Sequence, residues 1–389
     1  MTRRVLSGAA IFDGARLHEG KALVVENERV VALVPEASAP EGERVDLPGG
    51  IVAPGLLDLQ VNGGGGIMLG EMPSVDGIRR ICRAHSALGS TGVMPTLITD
   101  RPEITRAVLA AGREAAEAGV EGFLGLHLEG PHLDQRRKGA HDPSLIRPME
   151  DADLSLLVAA ARDLPALLVT LAPEAVGLRQ IEALAQAGII VSLGHTDCGF
   201  ADARDAFNAG ARAVTHLFNA MSPLGHREPG LVGAALDSGA VAAGIIADGV
   251  HVRPEVLRIA FAAKRAASDT VFLVTDAMAV AGTTRDRFGL GGREVLRRDG
   301  RLALADGTLA GADCTLPACI GLLHDRCDLP VEAALRLATR NPAALLGIER
   351  GRGVLSAGAR ADLVLLDEAF RCVRVWRGGR LEEEATAAR

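Results

Sequence analysis

Eight short apolar runs alternate with Ala-rich segments of helical periodicity through the middle of the chain, and this alternation restricts the fold more than any other feature. The runs read IVAPGLLDLQVN, GVMPTLIT, FLGLHLEG, LLVTLAP, IIVSLGHT, AVTHLFN, VAAGIIADG and VFLVTDA. Short apolar runs bounded by turn residues are the signature of strands buried on both faces, as in parallel sheets. The segments between them, such as PEITRAVLAAGREAAEAG and GFADARDAFNAG, end in glycine, the usual residue just past a helix. Strands alternating with helices build right-handed crossover units. Eight such units favour a closed (β/α)8 barrel, the TIM-like α/β fold, over an open doubly wound sheet.

A barrel of this kind needs roughly 250 residues, and the chain has 389. The surplus lies at the ends. Residues 1–53 carry short Val- and Leu-rich runs with turns at Asp13-Gly14 and Glu26-Asn27, and a similar texture returns in GVLSAGARADLVLLDEAFRCVRVWRGGRL. The expectation is a small β-sandwich built from residues 1–53 together with 350–383, and a catalytic barrel over 54–349. Hydrophobic residues make up 48% and charged residues 23% of the chain, the balance of a globular protein with a large core. A net charge of −7 argues against general nucleic-acid binding, which needs a basic surface. No run approaches the 18 or so apolar residues of a membrane span, and MTRRVLSGAAIFDG lacks the features of a signal peptide, so a cytoplasmic protein is expected. The six cysteines are scattered with no CxxC pair, which favours reduced thiols over disulfides or a cysteine zinc site.

In a closed barrel every strand points its carboxyl end to the same face, so residues far apart in sequence converge there. Glu129, His195, His216 and Asp276 each close one of the runs. Two imidazoles and a carboxylate are a catalytic zinc-type set, with a coordination position left open for water. Asp276 reads either as a further ligand or as the group that takes a proton from water. His141, in the loop after the Glu129 run, reads as an oxyanion stabiliser or the partner of a substrate hydroxyl. His251 follows the seventh run. Arg227, in GHREPG beside Asn219, Ala220 and His251, suits a phosphate dianion. His18, His85 and His324 lie away from strand ends and read as core or surface residues, while His132 buttresses the ligand loop. The run Gly63 to Gly66 lacks the Lys-Ser/Thr of a phosphate loop and reads as a flexible segment near the site.

The motifs GLHLEGPHL, KGAH, SLGHT, THLFNAM, HREPG, IADGVH, VTDAM and GARADLVLLD, in this order, resemble those of the N-acetylglucosamine-6-phosphate deacetylases of the amidohydrolase superfamily. The resemblance runs from VAPGLLDLQVNG to ADLVLL, essentially the whole chain. It implies that Glu129, His195 and His216 bind metal, that Asp276 is the catalytic acid/base and that His141 assists it. It places substrate contacts at Ala140, His141, Asn219, Ala220, Arg227, Asp248, His251, Leu309, Ala310 and Gly311, with Arg227 and His251 near the sugar phosphate. It also implies a homodimer in which such an arginine reaches across an interface. Where many amidohydrolases carry His-x-His for a second metal, this chain has Gln60 and Asn62, so one divalent ion per subunit is expected. Zinc is the default, and iron, manganese and cobalt fit the same ligands. The implied reaction is hydrolysis of N-acetyl-D-glucosamine 6-phosphate to D-glucosamine 6-phosphate and acetate, in amino-sugar catabolism and cell-wall sugar recycling. Two alternatives stay open: action on the galactosamine epimer, and a non-catalytic sugar-phosphate sensor on the same fold.

Overall fold

In a computed structural model of the chain, residues 2–382 are described. The eight apolar runs supply eight neighbouring strands of one sheet in sequence order. They are β1 (Leu56–Val61), β2 (Ser90–Ile98), β3 (Leu126–Glu129), β4 (Leu167–Leu171), β5 (Ile190–Leu193), β6 (Ala213–Val214), β7 (Ala242–Ile245) and β8 (Val271–Leu273). Every pair from β2 to β8 is parallel. Closure comes just past the ends of β1 and β8. Val61 and Ala277 form a parallel bridge, the Asp276 N–H donates to the Gln60 carbonyl at 3.0 Å, and the Asn62 N–H donates to the Ala277 carbonyl at 2.7 Å. The barrel inferred from the alternation is present.

The first run does not enter the barrel whole. Ile51–Pro54 pairs with Leu363–Leu366 in a different sheet. Gly55 separates the two parts of the run, where a Cβ would strike the Thr91 side chain.

Side chains alternate across each barrel strand. Outward residues such as Leu126, Leu128, Val169, Val191 and Leu193 pack with the helix residues Val108, Ala115, Ile181, Leu184, Ala203 and Ala206. Each large aliphatic side chain so buried contributes about 1.5–3 kcal/mol. Inward residues are polar on several strands. Thr96 Oγ1 lies 3.3 Å from His127 Nδ1, and His127 Nε2 lies 2.7 Å from Thr170 Oγ1. Thr215 Oγ1 then stands 2.7 Å from Thr170 Oγ1 and 2.6 Å from Ser192 Oγ. This chain of satisfied polar groups crosses the barrel interior. Burial pushes the His127 imidazole down to about 4, so it sits there neutral.

Residues 59–84 and 93–314 form one compact unit. Within it lies a four-stranded antiparallel sheet that the sequence reading does not contain: Arg287–Leu290, Arg293–Arg298, Arg301–Leu304 and Leu309–Ala312. Asp299 and Gly300, both at positive φ (51° and 68°), make the tight turn between its second and third strands. Phe288, Leu290, Val295, Leu302, Leu304 and Ala310 form its buried face with Met68, Met278 and Val280.

The second unit comprises residues 2–58, 85–92 and 315–382 of the described chain. Its four-stranded sheet contains Arg3–Ser7, Lys21–Glu26, Arg29–Pro35 and Glu43–Asp46, and its six-stranded sheet joins amino-terminal strands to Leu363–Leu366 and Cys372–Arg377. Leu6, Ile11, Leu23, Val25, Leu363, Leu365 and Trp376 fill its core. The sheets are mixed rather than wholly antiparallel, since Arg3–Ser7 pairs in parallel with Glu43–Asp46 and Ala10–Phe12 with Ile51–Pro54. The chain between the partners is long enough to bring each second strand back in the same direction. Helices Leu316–Cys327, Val331–Ala338 and Arg340–Leu346 belong to this unit.

Candidate active site

Glu129 is the last residue of β3, while His195, His216 and Asp276 follow the ends of β5, β6 and β8 by two or three residues. All three have left-handed backbones, with φ of 49°, 30° and 52°. Non-glycine residues rarely adopt this conformation, and it persists only where the surroundings hold it. It turns the chain sharply off each strand at the position where a polar side chain is needed.

Glu129, His195 and His216 meet closely. Glu129 Oε1 lies 3.2 Å from His195 Nε2 and 2.9 Å from His216 Nε2, and the two Nε2 atoms are 3.1 Å apart. All three residues are at most 5% exposed. His195 Nδ1 faces the Arg137 carbonyl at 2.8 Å. A carbonyl only accepts, so the proton of a neutral His195 sits on Nδ1 and Nε2 presents a lone pair to the cluster. Among the described residues His216 Nδ1 is buried without a hydrogen-bond partner, and the ring meets the cluster through Nε2. Burial disfavours charge on Glu129, yet the two imidazoles set against its Oε1 outweigh burial and hold the carboxyl well below its usual range. Burial likewise opposes a charged His216, but its bond to Glu129 and the carboxylate charge raise it. Positive charge is therefore favoured at the point where these atoms converge. Ligand atoms about 2 Å from a tetrahedral zinc stand roughly 3.3 Å apart, close to the spacing found here, so the donor set fits a divalent metal ion.

Asp276 stands beside this cluster. Asn62 Nδ2 donates to its Oδ1 at 2.6 Å and Gln60 Nε2 donates to the same oxygen at 3.1 Å. Gln60 Nε2 also lies 3.1 Å from Glu129 Oε1. A neutral amide thus bridges the two carboxylates and leaves Asp276 Oδ2 outside both bonds. Burial and the nearby Glu129 charge push the Asp276 carboxyl up to about 6, against His216 and the Asn62 bond. His141 Nε2 is 3.9 Å from Glu129 Oε2, and its ring centroid is 4.4 Å from that of His195. Glu129, His141 and His195 also lie close enough together to share an ion.

These groups open into a cavity of ≈ 330 Å³. Ala140, His141, Asn219, Ala220, His251, Leu309 and Gly311 line it, together with Asn62 and the cluster itself. Ala310 is buried but is not on the lining. Asp248 stands behind His251: it accepts the His251 Nδ1–H at 2.7 Å and the backbone N–H groups of Val250 and His251 at 2.8 Å. Arg227 is exposed and does not line the cavity of its own chain. Arg136, Arg137, Met278 and Leu290 line it without having been singled out in the sequence. Arg137 lies in RRKGAH, next to a motif that was, and its guanidinium is 2.6 Å from Asp197. The inserted sheet contributes Leu290, Leu309 and Gly311, and Arg293 of that sheet donates to the Ala140 carbonyl.

The chain is 36% identical over 389 residues to an N-acetylgalactosamine-6-phosphate deacetylase of Shewanella sp. (strain ANA-3), covering 99% of this chain and 97% of that protein. It is 37% identical over 393 residues to the human N-acetylglucosamine-6-phosphate deacetylase, covering 97% and 91% of the two chains. The solved structure of N-acetylglucosamine-6-phosphate deacetylase from Pasteurella multocida superposes with a TM-score of 0.94 at 33% identity, covering 98% of this chain and 100% of that one. The profile of the amidohydrolase family matches residues 51–381. A closed parallel barrel, a carboxylate and two imidazoles gathered at its strand ends, and these likenesses agree: the chain is a hydrolase that belongs to the amidohydrolase family.

Proposed function

We propose that the chain hydrolyses the acetamide of N-acetyl-D-glucosamine 6-phosphate, releasing acetate and D-glucosamine 6-phosphate in amino-sugar catabolism. The observation that carries this reading is the convergence of Glu129 Oε1, His195 Nε2 and His216 Nε2 beside Asp276 on one cavity. When bound by Glu129, His195 and His216, a divalent ion polarises the amide carbonyl and lowers the pKa of water to about 7.

The chain's own residues do the rest. Asp276 takes a proton from the attacking water at Oδ2, while Asn62 and Gln60 hold its other oxygen. Burial raises the Asp276 carboxyl above the ordinary carboxylate range, the direction that makes it a better proton acceptor. As the carbon–nitrogen bond breaks, Asp276 returns that proton to the departing amine. His141 donates from Nε2 to the carbonyl oxygen as negative charge develops there. His251, oriented by Asp248, faces the sugar phosphate, and Asn219 and Ala220 contact the sugar.

The Gln60 amide between Glu129 and Asp276 supports one metal ion per subunit, because an amide donor stands where a second cation would bridge carboxylates. Zinc is our assignment on ligand type. The family resemblance suggests a homodimer, in which Arg227, exposed and off the lining in its own chain, would serve the partner's cavity.

The decisive experiment joins metal analysis of the purified protein to acetate-release kinetics on both hexosamine epimers. We expect one equivalent of metal and a higher kcat/KM for the glucosamine substrate. The similarity to the Shewanella enzyme favours a second reading, action on N-acetylgalactosamine 6-phosphate, and a reversed preference would establish it. No acetate release from metal-replete protein with either substrate would overturn both.

A further inference from the structure

His141 differs from its neighbour His195 in what its Nδ1 meets. Thr99, the residue after β2, points its backbone N–H at His141 Nδ1 at 3.3 Å, and its Oγ1 lies 2.8 Å from the same atom. A backbone N–H has only a proton to offer, so Nδ1 must present a lone pair. With a proton on Nδ1, two N–H groups would face each other in a site where His141 is 4% exposed. The Thr99 hydroxyl has the Glu129 carbonyl as its other neighbour, at 3.4 Å, so the shorter bond is the one to Nδ1. The neutral ring therefore carries its single proton on Nε2.

His195 is the reverse case, with its Nδ1–H on the Arg137 carbonyl and its lone pair on Nε2. Two rings whose centroids are 4.4 Å apart thus offer opposite things to the cavity, one a lone pair and the other an N–H. His141 Nε2 has Glu129 Oε2 3.9 Å away, too far for a hydrogen bond, so the N–H is free to donate elsewhere. Proximity alone puts His141 in reach of the metal; the placement of its proton takes it out of the ligand set.

We propose that Thr99 is a positioning residue that fixes His141 as the Nε2–H tautomer, which keeps it a donor to the scissile carbonyl and outside the coordination of the metal. The catalytic half of this statement rests on the deacetylase reading above. The tautomer half does not.

The test has two parts. In wild-type protein labelled with ¹⁵N-histidine, with the His141 signals assigned by their loss in His141→Ala, the expected pattern is a bare Nδ1 and a protonated Nε2, before and after metal loading. A protonated Nδ1, or the shift of a metal-bound Nε2, overturns the proposal. The second part is a double-mutant cycle. Thr99→Val should lower kcat about tenfold, the worth of one good hydrogen bond, with KM and metal content nearly unchanged, and Thr99→Ser should restore most of it. In a His141→Ala background the same Thr99→Val change should cost less than about twofold. An equal loss in both backgrounds means Thr99 does not act through His141 and overturns the proposal. If no acetylated sugar phosphate is turned over at all, the reaction assignment fails, while the ¹⁵N pattern still decides the tautomer. If Thr99→Val does not fold, the wild-type spectrum decides it.

Discussion

Two neutral amides, Asn62 and Gln60, each direct an N–H to the same carboxylate oxygen of Asp276. A carboxylate so held is directional: one oxygen is fixed and the other works. Asp276→Asn keeps the size of the side chain but removes the proton-accepting oxygen pair, so kcat should fall by roughly 10² or more while metal stoichiometry holds. Near-wild-type turnover with full metal content would remove Asp276 from its role. The same directionality separates the histidines. Which atom each ring presents is set by a partner on its far side: the Arg137 carbonyl for His195, Thr99 for His141 and Asp248 for His251. Residue type and strand-end position are visible in a sequence. The far-side partner is not, because it comes from another loop, and so Asp248 reads there as a substrate contact although it faces His251.

At the scale of elements, the barrel strands are legible because a strand buried on both faces is a short apolar run, and all eight lie where such runs occur. The inserted sheet is harder to see. Its strand Arg293–Arg298 has only Val295 fully buried, so no run stands out, and the one local signal is Asp299-Gly300 between RR and RLAL. The inward hydroxyls of Thr96, Thr170 and Thr215 are equally silent, since threonine in a strand reads as an ordinary β-former. Helix starts carry their own electrostatics. Before helix Asp151–Ala160, Arg147 grips Asp153 with two nitrogens, at 2.5 and 2.6 Å, and the Glu150 N–H donates to the same carboxylate at 2.9 Å. Burial pushes the Asp153 carboxyl up, but Arg147 and the Glu150 N–H outweigh it and hold the group below its usual range. A carboxyl depressed in the folded state stabilises fully above its unfolded value near pH 4, and that contribution disappears as pH falls through the folded value. Asp153→Asn should therefore cost about 1 kcal/mol in urea unfolding at pH 7, with the gap to wild type closing at acid pH. A gap independent of pH would show that the charge is not what stabilises this helix start.

For the whole molecule, the exposed Arg227 makes a prediction that separate subunits cannot satisfy. If it serves a neighbour's cavity, Arg227→Ala and Asp276→Asn proteins, each impaired alone, should regain activity when their subunits are mixed, approaching about a quarter of wild type for random dimers. No recovery on mixing places Arg227 in its own subunit's function or in none. The seam of the barrel has a consequence of another kind. Asp276 takes its position from Gln60 and Asn62, partners 216 and 214 residues away, whereas Glu129, His195 and His216 span only 87 residues. Closing the longer loop costs more chain entropy, and the contacts that reward it come only when the ring is complete. A chain caught with its seam open already owns Glu129, His195 and His216, the ligands we propose for the metal, but lacks a settled position for Asp276, the proposed proton carrier. During refolding from denaturant, metal uptake should accordingly run ahead of recovered turnover; simultaneous recovery would mean that the ring closes before the ligands gather. Catalytic competence in this protein would then serve as a report that the last strand has found the first.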